Sequence, residues 1–268
     1  MIHVLLPTDL GQDALNAAVL AVKLFGAKGN RFTLLHVFGA ASLTDPLLPD
    51  MVPELQRSND DAVKGFEERL RAACDMSGAE VRSMSMFGPM SAVVKEATRQ
   101  HGVGLVWMFS AGRKGATILG SNTTDVIRAA HVPVLEIPAG TASLAFDRIL
   151  FADDRAAITD GALDMLASIA QASRAEVIIA HVATGKPARE QVDHTATFLR
   201  LFEGLQVRSI MVENDDVERT LLDLAHNERV GLIAVLHRHT GLWTGLFHTS
   251  TTKGIALHSA VPVLALEQ

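Results

Sequence analysis

The feature that most constrains this chain is an internal repeat, because four short segments of its first half return in the same order in its second half. The matching pairs are residues 3–9 and 148–154, 35–37 and 180–182, 103–106 and 230–233, and 132–135 and 261–264. The last pair is the same tetrapeptide, Val-Pro-Val-Leu, in both halves. Four ordered matches predict two tandem copies of one domain.

Each half alternates short apolar runs with stretches of helical period, which is the pattern of an α/β fold. Predicted strands lie near 2–7, 31–38, 80–87, 104–109, 133–137, 147–152, 175–182, 205–212, 231–236 and 261–266. Predicted helices lie near 13–26, 52–76, 89–101, 121–130, 157–173, 187–203, 216–228 and 249–259. Strands that are apolar on both faces and separated by helices predict a doubly wound domain, with a five-stranded parallel sheet covered on both sides.

The repeat also predicts where the domains begin and end. Residues 138–143 have the small, turn-forming composition of a linker, so we expect domains at 1–139 and 144–268. Residues 38–53 contain three prolines and have no counterpart in the second half, which predicts a loop over one end of the first sheet.

Composition narrows the class of protein. Hydrophobic residues make up 48% and charged residues 20% of 268 residues, typical of globular domains. A net charge of -6 without a basic run argues against nucleic acid as a partner. With no long apolar run, no leader pattern and a single cysteine, Cys74, we expect no membrane partner and a cytoplasmic location.

Ligands of parallel α/β sheets bind beyond the carboxyl ends of the strands, so the residues that follow strands are the candidates. In the first half these are Thr8, Asp9, Val37 and the glycine-rich stretch 110–121. Gly112, Gly115 and Gly120 allow close backbone approach, and Ser121 begins a helix, as in a phosphate cradle. The alternatives are an ordinary strand-to-helix loop with a serine cap, and Asp9 as the N-cap of the next helix.

Taken together, these segments resemble the universal stress protein family. The resemblance is carried by Pro-Thr-Asp after the first strand, Leu-His-Val at the end of the second, the glycine turn ending in Gly120-Ser121, and the closing residues 131–135. It covers both halves and implies the tandem form, with an adenine-nucleotide alpha-hydrolase-like fold. It also implies ATP or AMP as the ligand, contacted by Thr8, Asp9, Val37, Gly112, Gly120 and Ser121.

The first half departs from the glycine motif of the nucleotide-binding branch, which reads Gly, two residues, Gly, nine residues, Gly and Ser or Thr. Phe109 replaces the first glycine, and seven residues separate Gly112 from Gly120. In the second half Thr249 replaces the last glycine, so we expect no nucleotide there and a structural or dimer-forming role.

The sequence leaves some alternative functions open and argues against others. Besides a nucleotide-responsive stress module, the sequence allows a nucleotide-free scaffold acting through dimer surfaces, and slow ATP hydrolysis ranks third because no general base is visible. His237, His239 and His248 lack a further ligand, so no metal site is predicted. Adjacent Asp153 and Asp154 are interpreted as solvated acids or a helix cap. The closing strands of the two halves are predicted to pair about a pseudo-twofold axis, and a homodimer is possible.

Overall fold

A computed structural model describes residues 1–39, 48–110, 119–185, 192–238, 255 and 259–268, with their side chains except those of 48–51, 110 and 119–122. The chain divides into two compact units, Met1–Ser143 and Leu144–Gln268. Each unit is an α/β domain of the predicted kind.

In unit 1 the described residues form five strands, all parallel, in the spatial order β3-β2-β1-β4-β5. Their bounds are β1 (His3–Thr8), β2 (Arg31–Phe38), β3 (Glu80–Phe87), β4 (Leu105–Ser110) and β5 (Val134–Pro138). Every side chain of β1 is buried, as expected of a central strand covered by helices on both faces. The chain runs outward from β1 to β3 and then returns to β4 on the other side, so the strand order reverses between β1 and β4.

The helices of unit 1 form two layers. They are α1 (Gln12–Phe25), α2 (Leu48–Ala73), α3 (Met90–His101) and α4 (Leu119–Ala129). α1 and α2 contact each other, and α3 and α4 contact each other. The buried stripe of α1 is rich in alanine, which lets the helix approach the sheet closely.

Unit 2 repeats the topology of unit 1, as the sequence predicts. The described strands are parallel and stand in the order β10-β9-β6-β7-β8. They are β6 (Arg148–Ala152), β7 (Glu176–Ala183), β8 (Val207–Glu213), β9 (Leu232–His237) and β10 (Val263–Glu267), and the helices are α5 (Asp164–Ser173), α6 (Thr195–Leu201) and α7 (Val217–Asn227).

Three expectations about helices need correction. The loop predicted for 38–53 is wrong at its end, because α2 already begins at Leu48 and contains Pro53. Pro49 stands in the first turn, where a missing N–H costs no intrahelical bond, whereas Pro53 lies in the second turn and leaves one helical bond unmade. α5 begins at Asp164 instead of near 157, after Gly161 at a φ of 82°. α6 is shorter than predicted and spans Thr195–Leu201, and residues 186–191 before it lie outside the described residues. Most of the helix predicted at 249–259 also lies outside the described residues.

A glycine precedes β4 in unit 1 and β9 in unit 2, and the space around it differs between the two units. The Gly104 N–H donates to the His3 carbonyl and the Gly231 N–H donates to the Arg148 carbonyl, both at 2.9 Å. A Cβ on Gly104 would meet nothing closer than 3.8 Å, but a Cβ on Gly231 would overlap the backbone of Ala145. Only in unit 2 does this turn require glycine.

Candidate functional site

The hydrogen-bonded pairing of β1 with β4 ends before the carboxyl ends of the two strands. β1 pairs with β2 along its whole length, but with β4 only through Val4–Leu105 and Leu5–Val106. Pro7 lies just beyond this ladder and has no N–H to donate. In unit 2 the equivalent residue is Ala152, and there the pairing of β6 with β9 continues to Ala152–Val235. The ladder at the reversal point of unit 1 is therefore two residue pairs shorter than that of unit 2.

A compact turn joins β1 to α1 and carries two of the predicted site residues. Thr8 is buried, and its Oγ1 accepts the Leu10 N–H at 2.9 Å. Asp9 is exposed, and its Oδ1 accepts the Gly11 N–H at 2.8 Å. Leu10 adopts a φ of 67°, which these two side-chain bonds hold in place. Asp9 thus accepts the N–H of Gly11, which is the N-cap of α1, instead of serving as the N-cap itself.

Val37 is half-buried near the end of β2, next to this turn. The neighbouring His36 ties the two strands together, since its Nδ1 lies 2.9 Å from the Thr8 carbonyl oxygen and donates to it. Thr8, Asp9 and Val37 are therefore brought to one region of the sheet edge. Whether they contact a ligand stays a prediction.

The glycine turn falls mostly outside the described residues. Gly112 and Gly115 lie there, whereas Gly120 and Ser121 belong to the first turn of α4, which begins at Leu119, two residues earlier than predicted. The backbone of this turn is thus the start of a helix on the far side of the reversal point.

Phe109, which replaces a glycine of the family motif, is buried in β4. With Trp107 it lines a cavity of about 10 Å³ between the sheet and α1 and α2, together with Thr8, Ala14 and Phe66. Such a cavity holds about one water molecule. The phenyl ring is therefore part of the core.

The turn after β6 has the same hydrogen bonds as the turn after β1. Asp153 Oδ1 accepts the Arg155 N–H at 2.9 Å, and Asp154 Oδ1 accepts the Ala156 N–H at 3.0 Å. Arg155 has a φ of 55°, and His181 Nδ1 donates to the Asp153 carbonyl oxygen at 2.9 Å. The repeat found in the sequence is thus preserved at the level of individual bonds.

The two acids of this turn are not solvated, and that interpretation was wrong. Arg238, directly after β9, binds both carboxylate oxygens of Asp154, at 3.0 and 3.1 Å. Asp153 is buried, and its Oδ1 lies 3.2 Å from Nδ1 of His194. His194 and Arg238 were not among the predicted site residues, although an acid in place of the buried Thr8 was a signal that Asp153 needed a partner.

Within the described residues, no group of three or more His, Cys, Asp or Glu side chains is placed to hold a metal ion. His237 is buried at the end of β9, and His239 and His248 lie outside the description. No helix of the described part is long and apolar enough to cross a membrane.

The fold defines the class: two tandem doubly wound α/β domains, in each of which the strand order reverses beside the first strand. The chain belongs to the universal stress protein family, whose family model matches it twice, at residues 1–138 and 145–267.

Solved structures support this fold over almost the whole chain. A universal stress protein from Archaeoglobus fulgidus DSM 4304 has 21% identity and a TM-score of 0.72, with 99% of this chain and 98% of that chain covered. A putative universal stress protein from Pseudomonas aeruginosa UCBPP-PA14 has 18% identity and a TM-score of 0.58, with coverages of 99% and 92%. A functionally unknown protein from Pseudomonas aeruginosa PAO1 has 17% identity and the same TM-score of 0.58. No curated protein matches the chain significantly.

Proposed function

We propose that unit 1 binds an adenine nucleotide, ATP or AMP, at the open carboxyl edge of β1 and β4, and that unit 2 does not bind one in this way. The protein then acts as a cytoplasmic stress-response module that is switched by nucleotide. The observation that carries the proposal is the exposed carboxylate of Asp9, directly after β1 at the point where the strand order reverses.

Asp9 has the acceptor capacity that a ribose or a base requires. Its described hydrogen bond takes one N–H, from Gly11, at one of its two oxygens. A carboxylate offers about four lone-pair positions, so acceptor sites are left for ribose hydroxyls or an exocyclic amine. The bond to Gly11 also fixes the side chain before a ligand arrives, which lowers the entropic cost of binding.

The far side of the edge suits a phosphate. Gly120 and Ser121 lie in the first turn of α4, where backbone N–H groups have no intrahelical acceptor. Such a helix start attracts anions through these donors and the helix dipole. Burial of Phe109 in the core supports the same placement, because the ring does not cover the edge.

In unit 2 most of the corresponding acceptor capacity is already taken. Asp154 stands at the position of Asp9, but the Arg238 guanidinium occupies both of its oxygens. The chain itself thus fills the position that a ribose would take in unit 1.

Calorimetric titration of the whole chain with ATP and with AMP tests the proposal. We expect micromolar binding at one site. Asp9→Asn keeps an oxygen for the Gly11 N–H but loses the charge, and we expect about tenfold weaker binding, roughly 1.4 kcal/mol. Asp13→Asn is the matched control, since this exposed acid one turn away carries the same charge and should leave affinity unchanged.

Gly120→Trp supplies a second test, because a bulky side chain in the first turn of α4 should prevent phosphate approach. If neither nucleotide binds at millimolar concentration, the proposal fails and the nucleotide-free scaffold is the better reading. If binding persists in Asp9→Asn at full strength, the nucleotide lies elsewhere.

A further inference from the structure

Unit 2 differs from unit 1 in the segment that leads into its first helix. The repeat aligns residues 157–163 with residues 12–18, which form the start of α1 in unit 1. In unit 2 the aligned residues form a loop with turns, and α5 begins only at Asp164. The next described helix is also shorter, because α6 spans 7 residues whereas α2 spans 26. The described helices at this place are therefore shorter in unit 2 than in unit 1.

A cavity of about 340 Å³ lies at this place in unit 2, within the size range of small-molecule sites. One wall is formed by residues between 158 and 164, and the other by α6 and the residue before it. In unit 1, α2 instead reaches the start of α1 here. The Arg69 guanidinium donates to the Leu10 carbonyl at 2.9 Å and to the Gln12 side chain at 3.1 Å. The cavity therefore follows from a difference between the two copies of the repeat.

The second wall is held in place at both ends of α6. At the start, His194 Nδ1 donates to Asp153 Oδ1 at 3.2 Å, and Phe198 packs edge-on against the imidazole ring. At the end, the Gln171 side chain of α5 donates to the Glu203 carbonyl at 3.0 Å. The cavity is therefore formed before a ligand arrives, which lowers the entropic cost of binding.

Charges of both signs line the cavity. Asp160 and Asp164 supply carboxylates, and Arg200 supplies a guanidinium. All three residues are exposed, so a solute can reach them. Asp164 Oδ2 lies 3.5 Å from the position that a Cβ on Gly161 would take, and Gly161 lines the cavity too. Among the described residues, none of the three charged side chains takes part in an ion pair, so their charges are available to a ligand.

Aliphatic side chains form the remaining part of the walls. They are Ile158 and Leu201, which are half-buried, and Leu163, which is buried. A simple anion in the cavity would face two carboxylates, and a simple cation would face the guanidinium. A ligand with an ammonium group, a carboxylate and an aliphatic chain matches all three kinds of surface.

We propose that this cavity binds an α-amino acid with an aliphatic side chain, such as leucine. The ammonium group donates to the carboxylates of Asp160 and Asp164, and the carboxylate accepts from the fork of Arg200 donors. The aliphatic side chain of the ligand lies against the leucine and isoleucine surface and leaves water. This site does not depend on the nucleotide edge proposed for unit 1.

Calorimetric titration of the whole chain with L-leucine, L-isoleucine and L-valine tests the proposal. We expect at least one of them to bind with a dissociation constant of about 1 mM or tighter. Three analogues of leucine each lack one recognised part: 3-methylbutylamine lacks the carboxylate, 4-methylpentanoate lacks the ammonium group, and glycine lacks the side chain. Each should bind about tenfold more weakly or worse, because one part of the wall is left without its partner.

Two variants remove one charge each without a large change in size. Arg200→Gln loses the partner of the ligand carboxylate, and Asp164→Asn loses a partner of the ammonium group. Both residues are exposed, so we expect normal folding, checked by circular dichroism, and about tenfold weaker amino-acid binding. Arg219→Gln and Asp223→Asn, at exposed residues of α7, are the matched controls and should bind as the unmodified chain does.

The proposal is overturned if none of the three amino acids binds at millimolar concentration. It is also overturned if 3-methylbutylamine or 4-methylpentanoate binds as tightly as leucine, or if the folded Arg200→Gln variant keeps full affinity. Titration of the same variants with ATP and AMP distinguishes the two sites, because loss of the Arg200 charge should leave nucleotide binding in unit 1 unchanged.

Discussion

Replacement of Arg238 by methionine should destabilise unit 2 through the carboxylate that it leaves behind. Arg238 and Asp154 are 19% and 11% exposed, so neither charge is well solvated. The guanidinium binds both oxygens of Asp154 and also donates to the Ala157 carbonyl at 2.8 Å. In Arg238→Met, the Asp154 carboxylate keeps the Ala156 N–H as its described donor.

The magnitude follows from the burial of the pair. Breaking a fully buried ion pair by removing one partner costs about 3–5 kcal/mol, and exposed pairs contribute about 0–1 kcal/mol. With exposures of 11% and 19% we expect about 2–3 kcal/mol, near the buried end of that range. Asp154→Asn should relieve much of this loss in the double variant, because an amide carries no charge that needs compensation.

Hydrogen exchange measured by mass spectrometry on peptides of β6 and β7 is the suitable assay, since two-domain chains do not unfold in one transition. A loss of 2–3 kcal/mol corresponds to about 30- to 150-fold faster exchange of the most protected amides. Arg219→Met is the control, because the Arg219–Asp223 pair is 80% and 68% exposed and should contribute less than about 0.5 kcal/mol. If both variants exchange at the same rate, the reasoning about the buried pair is refuted.

Three further outcomes follow from the structure. Gly231→Ala should lower the free energy of unfolding by at least about 2 kcal/mol, because the new methyl group overlaps the Ala145 backbone. Gly104→Ala should be nearly neutral, because a methyl group there meets no close neighbour. The free energy of unfolding of each variant checks this, and equal losses would contradict it. Burial lowers the pKa of His3 below 6.5, so the unfolded chain binds the proton more readily and the stability of the fold should decrease as the pH drops below 6.5. In denaturant titrations, His3→Gln should lose less stability between pH 7.5 and pH 5 than the unmodified chain does. An equal loss in the two proteins would contradict this. Pro7→Ala restores an N–H, so it should extend the pairing of β1 with β4 and weaken nucleotide binding, as calorimetry would show; stronger binding would contradict it.

Most of the fold could be predicted because the repeat and the apolar runs are local signals. All ten strand positions agree with the pattern to within about three residues, since buried parallel strands give continuous apolar runs. The predicted starts of the helices agree less well with the structure than the predicted strands do. The start of α2 was missed because its prolines suggested a loop, yet Pro49 costs little in the first turn and the helix accommodates Pro53 one turn later.

The site in unit 1 could be predicted only as a place and a set of residue types. Strand ends identify Thr8, Asp9 and Val37, since topology brings carboxyl ends to one edge. The sequence did not indicate that Pro7 ends the pairing with β4, because the effect depends on which neighbour its missing N–H would have faced. Nor did it show that Phe109 is buried, which follows from strand register and the position of Phe66.

The pairs in unit 2 were missed for a different reason, and a comparison of the two halves would have revealed them. Asp153 and His194 are 41 residues apart, and no periodicity connects them. However, Asp153 repeats Thr8, a position whose backbone contacts require burial in both units. A carboxylate at such a position needs a compensating donor nearby, so an acid that replaces a hydroxyl in one copy of a repeat predicts a second substitution elsewhere in that copy. In this chain that second residue is His194, whose Nδ1 lies 3.2 Å from Asp153 Oδ1.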